Sequence, residues 1–308
     1  MEHQKYTIST NKLLYELFNY TFEDEEIKEA QEYDKVSNTI VVTYYKEFDY
    51  ISSKNSTFKV RISSFDKDNL KFTIYEKMLY FMLISNARQS SDDNYFISMR
   101  KLRNIRGLKD DSLSTYKCYE NALKGLTNKM IRLIPMKSNH GSKIIKCNLL
   151  SITNIVENKS RISEFNYSFN GLDATFVRNK QKITIFYNPF AFIFKKNYSF
   201  QICLHLIRLV ALNKNEDYEK KEFSFQLILK KIRRVNKDGV IENINYYDYI
   251  ATSANKQSER LNKCYEELEI ILKHFVKCNV IKSFSISKKR TFKYLRDDEV
   301  KITIKFSK

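Results

Sequence analysis

Glycine, proline and tryptophan are scarce here: five glycines, two prolines and no tryptophan in 308 residues. So few glycines leave no glycine-rich cradle ending in Gly-Lys-Ser/Thr, the run whose backbone N–H groups and lysine hold a nucleotide's phosphates. That argues against an ATP-driven helicase. Histidine is almost as rare: His3, His140, His205 and His274 stand alone in the sequence. Relaxases and rolling-circle enzymes need clustered histidines to hold a metal beside a nucleophilic tyrosine, so they too are disfavoured. The cysteines (Cys118, Cys147, Cys203, Cys264, Cys278) are odd in number, widely spaced and without a Cys-x-x-Cys pair, which reads as reduced structural thiols. No run approaches the ~18 apolar residues of a spanning helix. No charged n-region, apolar h-region and cleavage site opens the chain. The expectation is a soluble, cytoplasmic protein with no cofactor and no metal.

What is abundant is positive charge. Lysine and arginine number 54 against 36 acids, a formal net charge of +18, with a pI near 9.4. Such a surplus predicts a polyanionic partner, nucleic acid before a membrane surface. The length suits two ordinary domains, and 43% hydrophobic residues suffice for two cores. The richness in Lys, Asn, Ile, Tyr and Phe reads as the coding bias of an AT-rich genome.

One order of elements occurs twice. In the first copy, Tyr75, Met78, Leu79, Met82 and Leu83 recur at helical spacing, predicting a helix over 74–88. Tyr95 to Ile97 then reads as a strand. Ser98 is a candidate N-cap for a helix carrying Leu102 and Ile105, and Gly107 its stop. After a turn, Ser112 or Ser114 can cap a longer helix with Tyr116, Tyr119, Leu123 and Leu126 inward. Thr115, Lys117, Lys124 and Asn128 lie nearer solvent, so this is a helix-turn-helix with a basic outer face. Residues 131–136 and 144–150 read as strands flanking a loop with Lys137, Asn139, His140 and Lys143, a candidate wing.

The second copy runs from about Ile183 to the C-terminus. Asn188 and Pro189 could open a short helix through Phe194, and Ser199 could cap another with Ile202, Leu206, Leu209 and Val210 inward. Residues 223–234 are expected as the first helix of a second DNA-binding pair. An Asn- and Tyr-rich loop leads to a long helix over 255–278 with Leu261, Cys264, Leu268, Ile271, Leu272 and Phe275 as its apolar stripe. Its early outer positions carry Asn255, Lys256, Arg260 and Lys263. Strands at 280–286 and 300–306 flank a hairpin with Lys288, Lys289, Arg290, Lys293 and Arg296. The fold class predicted is α+β, with two tandem winged-helix domains at 71–165 and 180–308 and an N-terminal extension over 1–70. In that extension Leu13, Leu14, Leu17 and Phe18 predict a short helix. Residues 40–45 and 58–62 read as strands that could pair beside the first domain. The acidic stretch Glu23, Asp24, Glu25, Glu26, Glu29 and Glu32 reads as a solvated helix or loop. Between 153 and 179 the pattern weakens, with Asn158, Lys159, Ser160, Asn170 and Gly171 as breakers, and the domain boundary is placed there.

Basic clusters at hairpin tips neutralise phosphates and give affinity. Base edges read by the long helices must give specificity. One fragment points elsewhere: His205-Leu206-Ile207-Arg208 matches the His-x-x-Arg of tyrosine recombinases, with Tyr246, Tyr247 and Tyr249 downstream. Among 21 tyrosines such a match arises readily by chance, and His205 lies in an apolar helix. Enzymatic activity is not expected.

Three stretches carry a resemblance to a family: 97–102 followed by Ser114-Thr115-Tyr116-Lys117 and Ala122-Leu123-Lys124; 183–208; and 263–280 with 282–285. Together they resemble the replication initiators of iteron-containing, theta-replicating plasmids, which carry two winged-helix domains. The resemblance implies binding to directly repeated duplex origin sites, with the C-terminal domain as principal reader. It also implies bending and opening of an AT-rich segment, recruitment of the host helicase and initiator machinery, and a dimer that represses the initiator's own gene. A winged-helix transcription regulator of a mobile element is the alternative.

Overall fold

A computed structural model describes residues 6–9, 12–19, 27–34, 38–53, 56–87, 94–107, 113–136, 144–159, 161–170, 172, 182–185, 188, 197–214, 219–224, 231–235, 241–245, 254–287 and 301–306. The chain divides into two units, one of Thr7–Thr184 with Phe190–Ile193 and one of Met1–Tyr6, Ile185–Pro189 and Phe194–Lys308.

In the N-terminal unit the order is β1 (Tyr6–Ser9), α1 (Lys12–Asn19), β2 (Lys28–Asp34), β3 (Thr39–Ser53), β4 (Ser56–Ser64), α2 (Ile74–Ala87), β5 (Tyr95–Ser98), α3 (Met99–Arg106), α4 (Leu113–Thr127), β6 (Met130–Pro135), β7 (Ile145–Asn148), β8 (Ser151–Asn158) and β9 (Arg161–Ser168), with β10 (Lys182–Ile185) after it. Helix α2 is its centre, buried almost all round, as expected of a helix apolar on every side. It begins with a capping box. Thr73 Oγ1 accepts from the Glu76 N–H at 3.2 Å, and the Glu76 carboxylate accepts from the Thr73 N–H at 2.6 Å. Aromatic rings fill the space around α2. Phe18 of α1 packs edge-on against Phe72 at 4.8 Å and beside Tyr80 at 5.4 Å, and Tyr80 meets Phe169 at 5.2 Å. Two of the buried hydroxyls bond the backbone: Tyr80 donates to the Leu149 carbonyl at 3.1 Å and Tyr167 to that of Leu83 at 2.8 Å. Asn86 Nδ2 donates to the Phe96 carbonyl and to the Tyr167 hydroxyl. These bonds tie α2 to β5 and β9.

Two sheets flank these helices. One has the order β2-β3-β4-β6-β7, the other β5-β9-β8. The pairing of β4 with β6, from Phe58↔Pro135 to Ser63↔Met130, brings residues of the expected N-terminal extension into the same sheet as β6 and β7. Glu29 and Glu32 are in strand β2, paired to Tyr44 and Val41, not in the helix or loop expected. A charged strand is tolerated there because β2 is a sheet edge. The stretch over 153–179, expected as a weakly patterned boundary, contains the hairpin β8–β9. Its inward residues Phe165, Tyr167 and Phe169 alternate and are fully buried, while β8 is largely exposed, and that one-sided burial is what weakens the pattern.

The C-terminal unit contains α5 (Asn197–Lys214), β11 (Lys220–Ser224), β12 (Lys231–Val235), β13 (Ile241–Asn245), α6 (Ala254–Lys277), β14 (Ile281–Ile286) and β15 (Lys301–Phe306). Its three-stranded sheet has the order β11-β15-β14. Here both described ends of the expected helix over 223–234 are strand, and residues 225–230 lie outside the described residues. Phe223 sits on β11 opposite Ile302, and residues 231–235 form β12, paired with β13 so that Ile232 faces Ile244 and Val235 faces Ile241. Apolar partners across the strands, Phe223 with Ile302 and Ile232 with Ile244, favour strand over helix at these two ends. The short helix expected from Asn188 to Phe194 falls outside the described residues, Asn188 apart. Ser199 is not a cap; it lies inside α5, buried, with its hydroxyl donating to Glu267 of α6 at 2.7 Å. The apolar stripe of α6 is as expected, with Cys264, Leu268, Ile271, Leu272 and Phe275 buried.

Both units share one plan. A helix leads to a strand, and after the long helix a hairpin returns its second strand to pair with that first one, giving β5-β9-β8 and β11-β15-β14. In the N-terminal unit the hairpin that closes on β5 is therefore β8–β9. The strands β6 and β7, expected to flank the wing, extend the five-stranded sheet instead.

Candidate nucleic-acid interface

Helix α3 is capped at both ends as the sequence predicts. Ser98 Oγ accepts from the Lys101 N–H at 3.1 Å, and Gly107 takes the left-handed conformation at φ 71° with its N–H on the carbonyls of Arg103 and Asn104. Helix α4 follows. Tyr119, Ala122, Leu123, Gly125 and Leu126 are buried, and its packing on α2 includes an edge-on contact of Tyr119 with Tyr75 at 6.3 Å. The Arg106 guanidinium lies 5.2 Å from the centre of the Tyr75 ring, fixing the end of α3 on the same helix. Burial pushes the Tyr119 hydroxyl above its ordinary pKa, so it is a neutral core group.

The opposite side of α4 is a polar stripe. Ser114, Lys117, Asn121, Lys124 and Asn128 are all exposed and follow one another at intervals of three or four residues, so they line one face. The stripe holds no carboxylate. Lysines there can neutralise phosphates, and the asparagine amides are the groups that pair with adenine edges in a major groove. Lys117, Lys124 and Asn128 are where the sequence puts them, while Thr115 is half-buried to one side. Ser114 as a face residue and Asn121 are additions. Asn121 was legible, since it lies four residues after Lys117 and three before Lys124.

A buried ion pair sets the position of α4. Just past the end of α4, Lys129 donates to the Glu76 carboxylate and, at 3.1 Å, to the Gly125 carbonyl. Both side chains are almost completely buried. Burial lowers the Lys129 pKa, and the Glu76 carboxylate opposes that shift. On its other flank α4 faces the β8–β9 hairpin across an open groove of about 420 Å³, lined by Leu123, Lys124, Thr127, Ile152 and Ile155 among others.

In the C-terminal unit, Asn255, Lys256 and Arg260 lie in the first two turns of α6, and Lys263 is exposed on the next. The spacing of 256, 260 and 263 puts them on one face. Lys137, Asn139, His140, Lys143, Lys288, Lys289, Arg290, Lys293 and Arg296 lie outside the described residues, as do Tyr246, Tyr247 and Tyr249. Among the described residues no group of three or more His, Cys, Asp or Glu could hold a metal ion, and no helix is long and apolar enough to cross a membrane.

Comparison with known proteins finds one matching family model, over less than half of the chain. Residues 64–207, from the end of β4 into α5, match the model of the family described as Initiator Replication protein, WH1. No curated protein matches the chain. Among solved structures the chain is similar to domains 2 and 3 of RctB, at 11% identity over 85% of this chain and 91% of that one, with a TM-score of 0.46. It is also similar to the Pi initiator protein in complex with iteron DNA, at 13% identity over 76% and 91% of the two chains, with a TM-score of 0.43.

Proposed function

We propose that this chain, whose residues 64–207 match the model of the initiator replication protein family, is a member of that family and starts plasmid replication by binding directly repeated duplex sites at an origin. The observation that carries the reading is the face of α4: five exposed side chains in register, two lysines among them and no acid. That is a surface for a DNA groove, in a chain with net charge +18. The plan shared by the two units supports reading each as a winged helix, with α4 and α6 as the two reading helices. On this reading Lys117, Lys124 and the early residues of α6 contact DNA, and Asn121 and Asn128 face base edges.

The action proposed is mechanical. Several copies on adjacent repeats bend the duplex, and an AT-rich segment opens because deformation costs least where stacking is weak. The opened segment receives the host's helicase and initiator proteins in the cytoplasm. A dimer of the chain, binding differently, would repress the initiator's own gene. None of these steps requires covalent chemistry from the protein.

Permanganate footprinting on a supercoiled plasmid carrying the bound repeats tests the initiator reading. Reactive thymines in an adjacent AT-rich tract, appearing only with protein, are the expected result. Binding without such reactivity would leave a transcription regulator of a mobile element.

A further inference from the structure

The five-stranded sheet has one face in the core and one outside. On β4 and β6, Val60, Ile62, Ile131 and Leu133 point inward and are buried, while Lys59, Arg61, Arg132 and Ile134 alternate with them and are half-buried. The register sets Glu47, Arg61, Arg132 and Lys146 side by side across β3, β4, β6 and β7. Glu47 occupies the near end of this row. One of its oxygens lies 2.7 Å from both Nε and a terminal nitrogen of Arg61, and the other lies 3.6 Å from Lys28. The far end differs: β4, β6 and β7 carry Lys59, Arg61, Arg132 and Lys146, all on the outer face, and no acid. Like charges directly opposite one another cost stability, a cost that an anion laid across Arg132 and Lys146 would offset. Strand β7 is also the last of its sheet. Among the described residues no strand lies beyond it, so backbone N–H and C=O groups of alternate residues face outward. Ile145, opposite the buried Leu133, belongs to the inward face and is exposed at this edge.

We propose that the β7 edge and the cationic outer face beside it dock an extended segment of a partner protein in which acidic and apolar residues alternate. Added as a further strand, such a segment turns its acids toward Lys146 and Arg132 and its apolar side chains toward Ile145, because successive side chains of a strand point to opposite faces. That the partner is one of the host's replication proteins rests on the proposed initiator reading. The edge favours a polypeptide over nucleic acid: a phosphate backbone can neutralise the cations, but it neither pairs with the outward N–H and C=O groups nor covers Ile145. A second copy presenting the same face would set like charges against each other.

The probe is a fluorescein-labelled synthetic peptide of alternating Glu and Val, titrated with the full chain and read by anisotropy, with a peptide of alternating Lys and Val as control. The chain should bind the first, more weakly as salt rises, and not the second. A repeat-bearing duplex should bind at the same time without displacing it. Arg132→Gln/Lys146→Gln should lose peptide affinity several-fold, bind the duplex as wild type does, and keep or raise the melting temperature, since opposed like charges are removed. The Glu and Val peptide N-methylated at alternate residues cannot pair as a strand; it leaves the chain unaltered and should bind several-fold worse. No binding of the Glu and Val peptide, equal binding of the Lys and Val peptide, or displacement by the duplex would each overturn the inference. A bound fraction that falls as more chain is added would assign the edge to a second copy and overturn it too. So would a double variant that melts many degrees lower, which would assign the cations to the fold. Peptide binding as expected in a chain that opens no origin would keep this surface and overturn the initiator reading.

Discussion

Glu76 and Lys129 stand 53 residues apart in the chain and meet as an ion pair in the core of the N-terminal unit. Glu76 belongs to the capping box that opens α2, and Lys129 joins α4 to β6. Through this pair the start of the central helix and the end of α4 are set by one contact. A buried pair of this kind specifies arrangement more than it adds stability, since desolvation offsets much of its attraction.

Gly125 makes the contact possible. A Cβ at that position would overlap Glu76 Oε1 and lie 2.9 Å from its Cδ. Alanine is the better helix former by up to ~1 kcal/mol, so propensity alone would make Gly125→Ala stabilising. We predict instead that it destabilises by about 2 kcal/mol or more, through overpacking against a fixed carboxylate. Urea unfolding decides the sign.

Removing one partner of the pair should be worse than removing both charges. Lys129→Met leaves Glu76 buried and unpaired, with an expected loss of roughly 3–5 kcal/mol. Glu76→Gln/Lys129→Met should regain much of that loss, because Gln can still serve the capping box. A double-mutant cycle from urea midpoints gives the coupling. A double variant whose loss equals the sum of the two single losses would show that the charges do not interact.

Lys77 predicts a pH dependence. Burial lowers its ammonium to about 7, with Glu76 opposing the shift. The folded pKa is thus below the unfolded one, and between the two the unfolded chain binds the extra proton. Stability should therefore rise with pH above about 7, and the full penalty should hold below it. Lys77→Met should raise the urea midpoint at pH 7 and flatten the rise between pH 7 and 8.5. A wild-type profile already flat in that window would contradict the shift.

Much of this was legible in the sequence. The caps of α3, the outward stripe of α4 and the core stripe of α6 follow from local signals, because helical periodicity and caps are encoded within a few residues. What was illegible depends on pairing between distant segments. Nothing near Lys137 says that β6 will pair with β4, or that β5 will take β9 as its partner. Glycine at 125 reads as a weak helix position until Glu76 is seen beside it. Thr73 and Glu76 were the missed local signal, a Thr-x-x-Glu run ahead of an apolar helix.

The α4 face should separate affinity from specificity. Lys117→Ala/Lys124→Ala is expected to weaken binding to every duplex and to lower the salt slope by about 1.8. Asn121→Ala should cost about 1–3 kcal/mol on the preferred site and little on random DNA. Paired titrations on the two duplexes measure both. Parallel losses for Asn121→Ala on both duplexes would assign it to the backbone rather than to bases.

The most direct measurement is selection of bound sequences from a random duplex library with the purified chain at two salt concentrations. The account predicts enrichment of one site of about 20 base pairs, roughly two helical turns, recurring in tandem beside an AT-rich tract on the plasmid that encodes the chain. Binding that enriches no sequence would leave a basic protein that holds nucleic acid by charge alone, and would contradict the initiator reading.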